Sequence, residues 1–317
     1  MLQHRFIKGE IDMDLKNGIN VLSLFDGISC GQLALGRAEI NVNKYYASEI
    51  KESAIKCTMG NFPDTIQLGD VTKLDISTLP KIDLLIGGSP CQDLSIANVI
   101  NKGNQEGLNG TKSSLFYEYV RILKQLRPTY FLLENVSNMK EHDRNIISSI
   151  LGVEPIKINS NLVSYQNRSR YYWTNIPNIT QPVDRNINFQ NYICKDHEKC
   201  KEFKVNRTPS REKMWGNGIN GNCKNVTNET KINCITCRQD RWKNAGLVEF
   251  EDFCRYLTTT ELEIGQTLPV GYTRMLNKHQ AANVIGDGWT VDVIAHIFSF
   301  LPQEYKEVSD NESIQDK

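Results

Sequence analysis

The chain has 317 residues, with 37 Lys and Arg balanced by 37 Asp and Glu, so it carries no formal net charge at pH 7. That length suits one large core, or a core domain with a smaller second lobe, and the composition excludes collagen-like, coiled-coil and repeat classes. No apolar run is long enough to span a bilayer, and the polar start MLQHRFIKGEIDMDLKNG reads as neither a signal peptide nor an anchor. These features predict a cytoplasmic protein whose nine scattered cysteines are thiols rather than disulfides.

In chain order, NVLSLF (Asn20–Phe25) reads as a buried strand, followed by a helix from Cys30 to Ile40. KYYASEI ends a second strand near Glu49, and a helix follows over Lys51–Met59. IQLGD is a third strand, and IDLLIGG is a fourth that runs up to Pro90-Cys91. After a Gly/Asn-rich loop, SSLFYEYVRILKQLRP has helical spacing, with Phe116, Tyr119, Val120 and Leu123 on one face and Pro128 as its stop. TYFLLENV is a fifth strand. Strands alternating with helices predict an α/β fold, a doubly wound, mostly parallel sheet.

Near Asn175 the pattern changes to a stretch rich in Asn, Lys, Gly and Thr, which predicts a smaller, loop-rich lobe. Leu257–Leu268 and Val291–Leu301 return to helical spacing. Between Lys195 and Lys243 there are twelve Lys or Arg against six Asp or Glu, an excess that suits either a nucleic-acid face or a solvated surface. Cys194, His197, Cys200, Cys223, Cys234, Cys237 and Cys254 share this region, but only one C-x-x-C is present and the other spacings are irregular. No metal is expected there.

Open α/β sheets bind ligands at the carboxyl ends of their strands. Those ends read FDGISCG, Glu49, GDV, SPCQ and ENV. A glycine turn after strand one lets backbone N–H groups approach a ligand, Glu49 suits a ribose diol, and Asp70 suits an adenine amino group. Gly27 and Gly31 alone would be ordinary turn glycines; the ordered acids behind them point to a nucleoside cofactor.

With Phe25-Asp26-Gly27, Pro90-Cys91-Gln92, Glu134-Asn135-Val136, Gln166-Asn167-Arg168-Ser169-Arg170 and GDGWTVDVI in this order, the chain closely resembles the DNA (cytosine-5) methyltransferase family. The wording is similar to that of the animal de novo branch and many bacterial and phage enzymes. Ser29-Cys30 in place of a second glycine pair, and Asp287 in place of an asparagine, are departures from the family pattern; neither removes a catalytic group.

The resemblance implies a Rossmann-like methyltransferase domain over 19–177 after an extension of 1–18, and a target-recognition domain over 178–252. A catalytic-domain return over 253–302 and an acidic tail of 303–317 would complete the chain. It implies transfer of a methyl group from S-adenosylmethionine to C5 of cytosine in a specific sequence of double-stranded DNA, leaving S-adenosylhomocysteine. The catalytic set would be Cys91, Glu134, Arg168 and Arg170. Phe25, Asp26, Gly27, Ile28, Ser29, Glu49, Ile50, Asp70, Val71, Ser89, Asp287 and Trp289 would hold the cofactor. Gln92, Asn135 and Gln166 would touch substrate, with Trp215, Trp242 and the loop 95–112 also near DNA.

The chemistry matches these residue types. A cysteine thiolate can add to C6 and make C5 nucleophilic, a carboxylic acid can stabilise N3, and arginines can hold the base and lower the thiol pKa. A stacked base must first be flipped out. Cys30 and Cys57 are expected to be packing residues. The resemblance further implies a monomer in action, a bacterial or phage-infected cell, and a cognate restriction endonuclease as candidate partner. The alternatives are the same chemistry on tRNA, or a non-catalytic DNA-binding homologue.

Overall fold

Alternation along the central strands splits the core into two apolar layers. In β1 (Ile19–Leu24), Ile19 and Val21 face one layer while Leu22 and Leu24 face the other. The same division holds for β4 (Leu84–Gly88) and β5 (Tyr130–Val136): Ile86 and Leu132 lie on one side, Leu85 and Leu133 on the other. Strands apolar on both faces must be covered on both, which makes the sheet doubly wound. The computed structural model describes residues 18–89, 114–206, 224–237, 239, 244–250 and 253–306. Pro90, Cys91, Gln92, the loop 95–112, Trp215, Trp242 and Cys223 lie outside them.

The seven-stranded sheet has the order β3-β2-β1-β4-β5-β7-β6, with β2 at Val42–Ser48, β3 at Ile66–Gln67, β6 at Ile156–Asn159 and β7 at Ser169–Thr174. Strands β1 to β5 pair in parallel, and β7 runs antiparallel to both of its neighbours. The helices over Cys30–Arg37 (α1) and Glu52–Asn61 (α2) follow β1 and β2. The expected helix before Pro128 is Ser114–Leu126 (α3), with Phe116, Tyr119 and Val120 buried as its spacing requires. Strand three is shorter than expected, because Asp70 turns the chain into a 3-10 helix by accepting from Thr72 N.

A helix over Glu141–Leu151 (α4), strands β6 and β7, and the helix Lys278–Asp287 (α7) have no counterpart among the sequence expectations. The short helix His197–Lys201 (α5) precedes a three-stranded sheet made of β8 (Lys204–Val205), β10 (Cys254–Arg255) and β9 (Val248–Glu249). That sheet continues past residue 252, so the expected lobe boundary falls between two of its strands. Ile232 and Ile235 pack in the same apolar layer as β1, which joins the loop-rich region to the main core. The two C-terminal helices expected from spacing are Thr259–Gly265 (α6) and Val291–Phe298 (α8). Helix α8 packs on α1, with Arg37 Nη1 2.5 Å from Asp292 Oδ1. No helix among the described residues is long and apolar enough to cross a membrane.

One ion pair ties the small sheet to α6. Arg255 and Glu261 are 0% and 1% exposed, and Arg255 Nη1 and Nη2 meet the two Glu261 oxygens at 2.7 and 2.8 Å. Glu261 also accepts from the backbone N–H of Thr258 and Cys194, so its charge is satisfied from two segments. Cys30 and Cys57 are core residues, as expected, and burial pushes both thiols up to about 12.

Two outcomes follow from this packing. Arg255→Met strands a buried carboxylate and is expected to cost about 3–5 kcal/mol in urea unfolding. A loss within error of zero would contradict the pairing. Burial covers Cys30 and Cys57 and keeps both thiols protonated, so iodoacetamide followed by mass spectrometry should label them only after unfolding.

Candidate active site

The sheet order reverses between β1 and β4, and the chain leaves these neighbouring strands in opposite directions. A crevice forms where the two departing loops diverge. The loop after β1 has a tightly specified backbone: Phe25, Gly27 and Ser29 all have left-handed φ values, 57°, 61° and 55°. Two of these are not glycine, so the loop holds local strain of about 1–3 kcal/mol per residue that its surroundings must maintain.

Those surroundings are hydrogen bonds from every side. Asp26 accepts from the Ser29 hydroxyl, and from Tyr45 Oη at 2.8 Å. Glu49, at the end of β2, accepts from Gly27 N at 2.8 Å with one oxygen and from Ile50 N and Lys51 N with the other. Tyr272 Oη donates to Ile28 O at 2.7 Å. Burial pushes the Asp26 carboxyl above the ordinary carboxylate range, and the donors Ser29, Ser23 and Tyr45 draw it part of the way back.

The residues expected to hold a nucleoside cofactor do gather at these strand ends. Ile50 is an apolar side chain left 71% exposed beside Glu49, and a Cβ at Gly27 would meet nothing within 4 Å. Asp70 accepts through one oxygen from the N–H and hydroxyl of Thr72, and those hydrogen bonds hold its pKa down. Val71 is buried beneath it. An exposed apolar face, flanking carboxylates and an open glycine turn fit an adenine nucleoside. Ile28 and Ser29 are fully buried; Ser29 N donates to Asp26 O, and Ile28 O accepts from Tyr272. Asp287 pairs at 2.9 Å with Lys51, the residue after Ile50, where both side chains are solvent-accessible.

Beside this crevice, Glu134 projects from β5 next to Gly88 of β4. It is 8% exposed, and both carboxyl oxygens are held. Arg170 Nε, from antiparallel β7, lies 2.8 Å from Oε1. Trp289 Nε1 donates to Oε2 at 3.1 Å. Asn135 Nδ2 donates to Ser89 Oγ at 3.1 Å and its Oδ1 accepts from Val136 N, so Asn135 and Ser89 fix the β4–β5 end from within.

Arg168 and Gln166 are placed differently from the expectation that they reach the base. Arg168 is 5% exposed; its Nη1 donates to Ile235 O at 2.8 Å and its Nη2 to Gly288 O at 2.8 Å. Gln166 is 0% exposed and bonds Gly265 O, Gln266 Oε1 and Ile235 N. Both side chains are occupied in fastening the 234–237 segment and the 286–290 segment to β7. Backbone carbonyls make good partners for these groups but leave no trace in residue identity, so the motif suggested a substrate role.

Sequence reading also passed over Cys234, treated only as half of a C-x-x-C. Its Sγ lies 3.4 Å from Arg168 Nη1 and 3.8 Å from Arg170 Nη2. Burial pushes this thiol up, but the two guanidiniums outweigh it and hold the thiol below its ordinary value. Among the described residues no group of three His, Cys, Asp or Glu is arranged to hold a metal ion.

Comparison with known proteins agrees with this architecture. The profile of the family described as C-5 cytosine-specific DNA methylase matches residues 19–152. The orphan methyltransferase M.SPRI of Bacillus phage SPR is 34% identical over 166 residues, covering 49% of this chain and 37% of that protein. The type II methyltransferase M1.ScrFI of Lactococcus lactis subsp. cremoris is 42% identical over 124 residues, covering 39% of this chain and 30% of that protein. The chain thus spans about a third of the length of these curated relatives. The solved structure of Entamoeba histolytica methyltransferase EhMeth superposes with a TM-score of 0.72 at 18% identity, over 92% of this chain and 99% of that one. S. pombe Dnmt2 methyltransferase superposes with a TM-score of 0.65 at 17% identity, over 89% of this chain and 97% of that one. These structures share the mixed α/β, Rossmann-like fold of the seven-stranded sheet.

Proposed function

We propose that the chain is a DNA (cytosine-5) methyltransferase that acts on a specific sequence of double-stranded DNA, with S-adenosylmethionine as methyl donor. The observation that carries this reading is Glu134. Its carboxylate is fixed by Arg170 and Trp289 beside the end of β4, three residues in sequence before Cys91.

In this reading Cys91 adds as a thiolate to C6 of a flipped cytosine, and the ring electrons move toward N3 and O2. Glu134 holds the proton or strong hydrogen bond at N3 that stabilises this charge. Arg170 keeps the carboxyl in place and supplies positive charge next to the ring. S-adenosylmethionine, when bound, supplies an electrophilic methyl group for the activated C5. Phe25, Asp26, Gly27, Glu49, Ile50 and Asp70 are the residues proposed to hold it, through the apolar face and carboxylates at the ends of β1, β2 and β3. Transfer of the C5 proton to water and elimination of the Cys91 thiolate then restore the aromatic ring and the free enzyme.

Arg168 and Gln166 enter this mechanism as clamps on the segments around the site, rather than as groups touching the base. The basic excess between Lys195 and Lys243 supports salt-dependent phosphate contact by the loop-rich region. The type II name of M1.ScrFI supports a cognate restriction endonuclease as partner.

Duplex DNA carrying 5-fluorocytosine tests the covalent step, because fluorine at C5 cannot leave as the proton does. With cofactor present, the chain is expected to form a denaturant-resistant complex with this DNA, and Cys91→Ala to form none while still binding cofactor. Methyl transfer by Cys91→Ala would contradict the mechanism. Methylation of tRNA but not duplex DNA in a parallel assay would contradict the substrate.

A further inference from the structure

Glu134 is gripped by donors that come from two distant parts of the chain. Arg170 Nε approaches Oε1 at 2.8 Å from β7, and Trp289 Nε1 approaches Oε2 at 3.1 Å from the link between α7 and α8. One donor on one oxygen leaves a glutamate free to turn about its last bond, where the torsional preference is broad. A second donor on the other oxygen fixes the plane of the carboxyl group.

Two further observations show that the Trp289 contact is built into its surroundings. Gly88 leaves room for it: a Cβ at that position would lie 2.8 Å from Trp289 Nε1 and 3.0 Å from Glu134 Oε2. The backbone around Trp289 is also fastened, with Gly288 O accepting from Arg168 Nη2 at 2.8 Å and from Gln266 Nε2 at 3.1 Å. Thr290 Oγ1 donates to Gln266 Oε1 at 2.8 Å on the other side. The indole ring meanwhile reaches the start of α1, where a Cβ at Gly31 would lie 3.5 Å from Trp289 Cζ3.

We infer that Trp289 is a positioning residue for Glu134, setting the carboxyl plane that faces N3 of the cytosine, in addition to the cofactor contact its motif implies. This inference rests on the proposed methyl transfer. It gives Arg168 a defined part: by holding Gly288 it holds the indole, and through the indole the acid. A misaligned acid lowers the rate of the chemical step without weakening ground-state binding.

The test is Trp289→Phe, which keeps a ring and removes the N–H donor. Single-turnover methyl transfer to duplex DNA should fall about tenfold, the size expected for losing a hydrogen bond to a charged group. Because Phe keeps the ring that the motif implies against the cofactor, affinity for S-adenosylmethionine, measured by calorimetry, should change by less than about threefold, as for a transition-state-only loss. Independently of activity, the indole N–H resonance of Trp289 in a 15N spectrum should move in Glu134→Gln. An unchanged rate, a cofactor affinity that falls by the same factor as the rate, or an unmoved indole resonance would each overturn the inference. A wild-type chain that transfers no methyl group overturns the proposed function and this inference with it. An active wild type with an unimpaired Trp289→Phe variant overturns this inference alone.

Discussion

The two-sided hold on the Glu134 carboxylate is the constraint around which the candidate site is arranged. A carboxylate that is 8% exposed needs partners, and here they come from β7 and from the segment ahead of α8. To deliver Arg170, β7 has to run antiparallel beside β5, with Arg170 opposite Val136. To deliver Trp289, the chain must return through α6 and α7 and be anchored by Arg168, Gln166 and Gln266. The loop-rich region is drawn into the same arrangement, because Arg168 binds Ile235 O and both arginines flank Cys234. Removing any one of these supports would leave a buried charge or a buried carbonyl without its partner, which is why they act as a unit.

The other half of the crevice depends on the same principle, with backbone groups in place of side chains. Glu49 accepts from three backbone N–H groups, and Asp26 from two hydroxyls, holding a loop with three left-handed residues in one shape. Strain held this way is a form of preorganisation. It leaves Ile50 exposed and the Gly27 turn open, and those two features carry the argument for a nucleoside cofactor.

Much of this architecture was legible in the sequence where one physical signal dominated. The short, mainly apolar runs of β1, β4 and β5 reveal strands buried on both faces, and the spacing of Phe116, Tyr119 and Val120 reveals α3. Elements were missed where that signal was weak. Helix α4 begins EHDRN and buries only a few side chains, including Ile147. Strands β6 (IKIN) and β7 (SRYYWT) mix polar with apolar residues, and β7 pairs antiparallel with β5 across the intervening helix α4. The motifs reported which chemistries are present but not where each side chain points. Glu134 and Arg170 meet, whereas Gln166 and Arg168 turn to backbone carbonyls that no residue pattern could reveal. Likewise, nothing in the strand IDLLIGG singles out Gly88 until the Trp289–Glu134 contact shows what a side chain there would obstruct.

The account stands or falls on whether this strand-end arrangement modifies C5 of cytosine in DNA. The most direct measurement is strand-resolved mapping of methylated cytosine in DNA from a host that lacks cytosine methylation and expresses the chain. The account predicts 5-methylcytosine at every copy of one short sequence, and none when Glu134→Ala is expressed instead. An unmodified genome, or methylation at a ring atom other than C5, would contradict it.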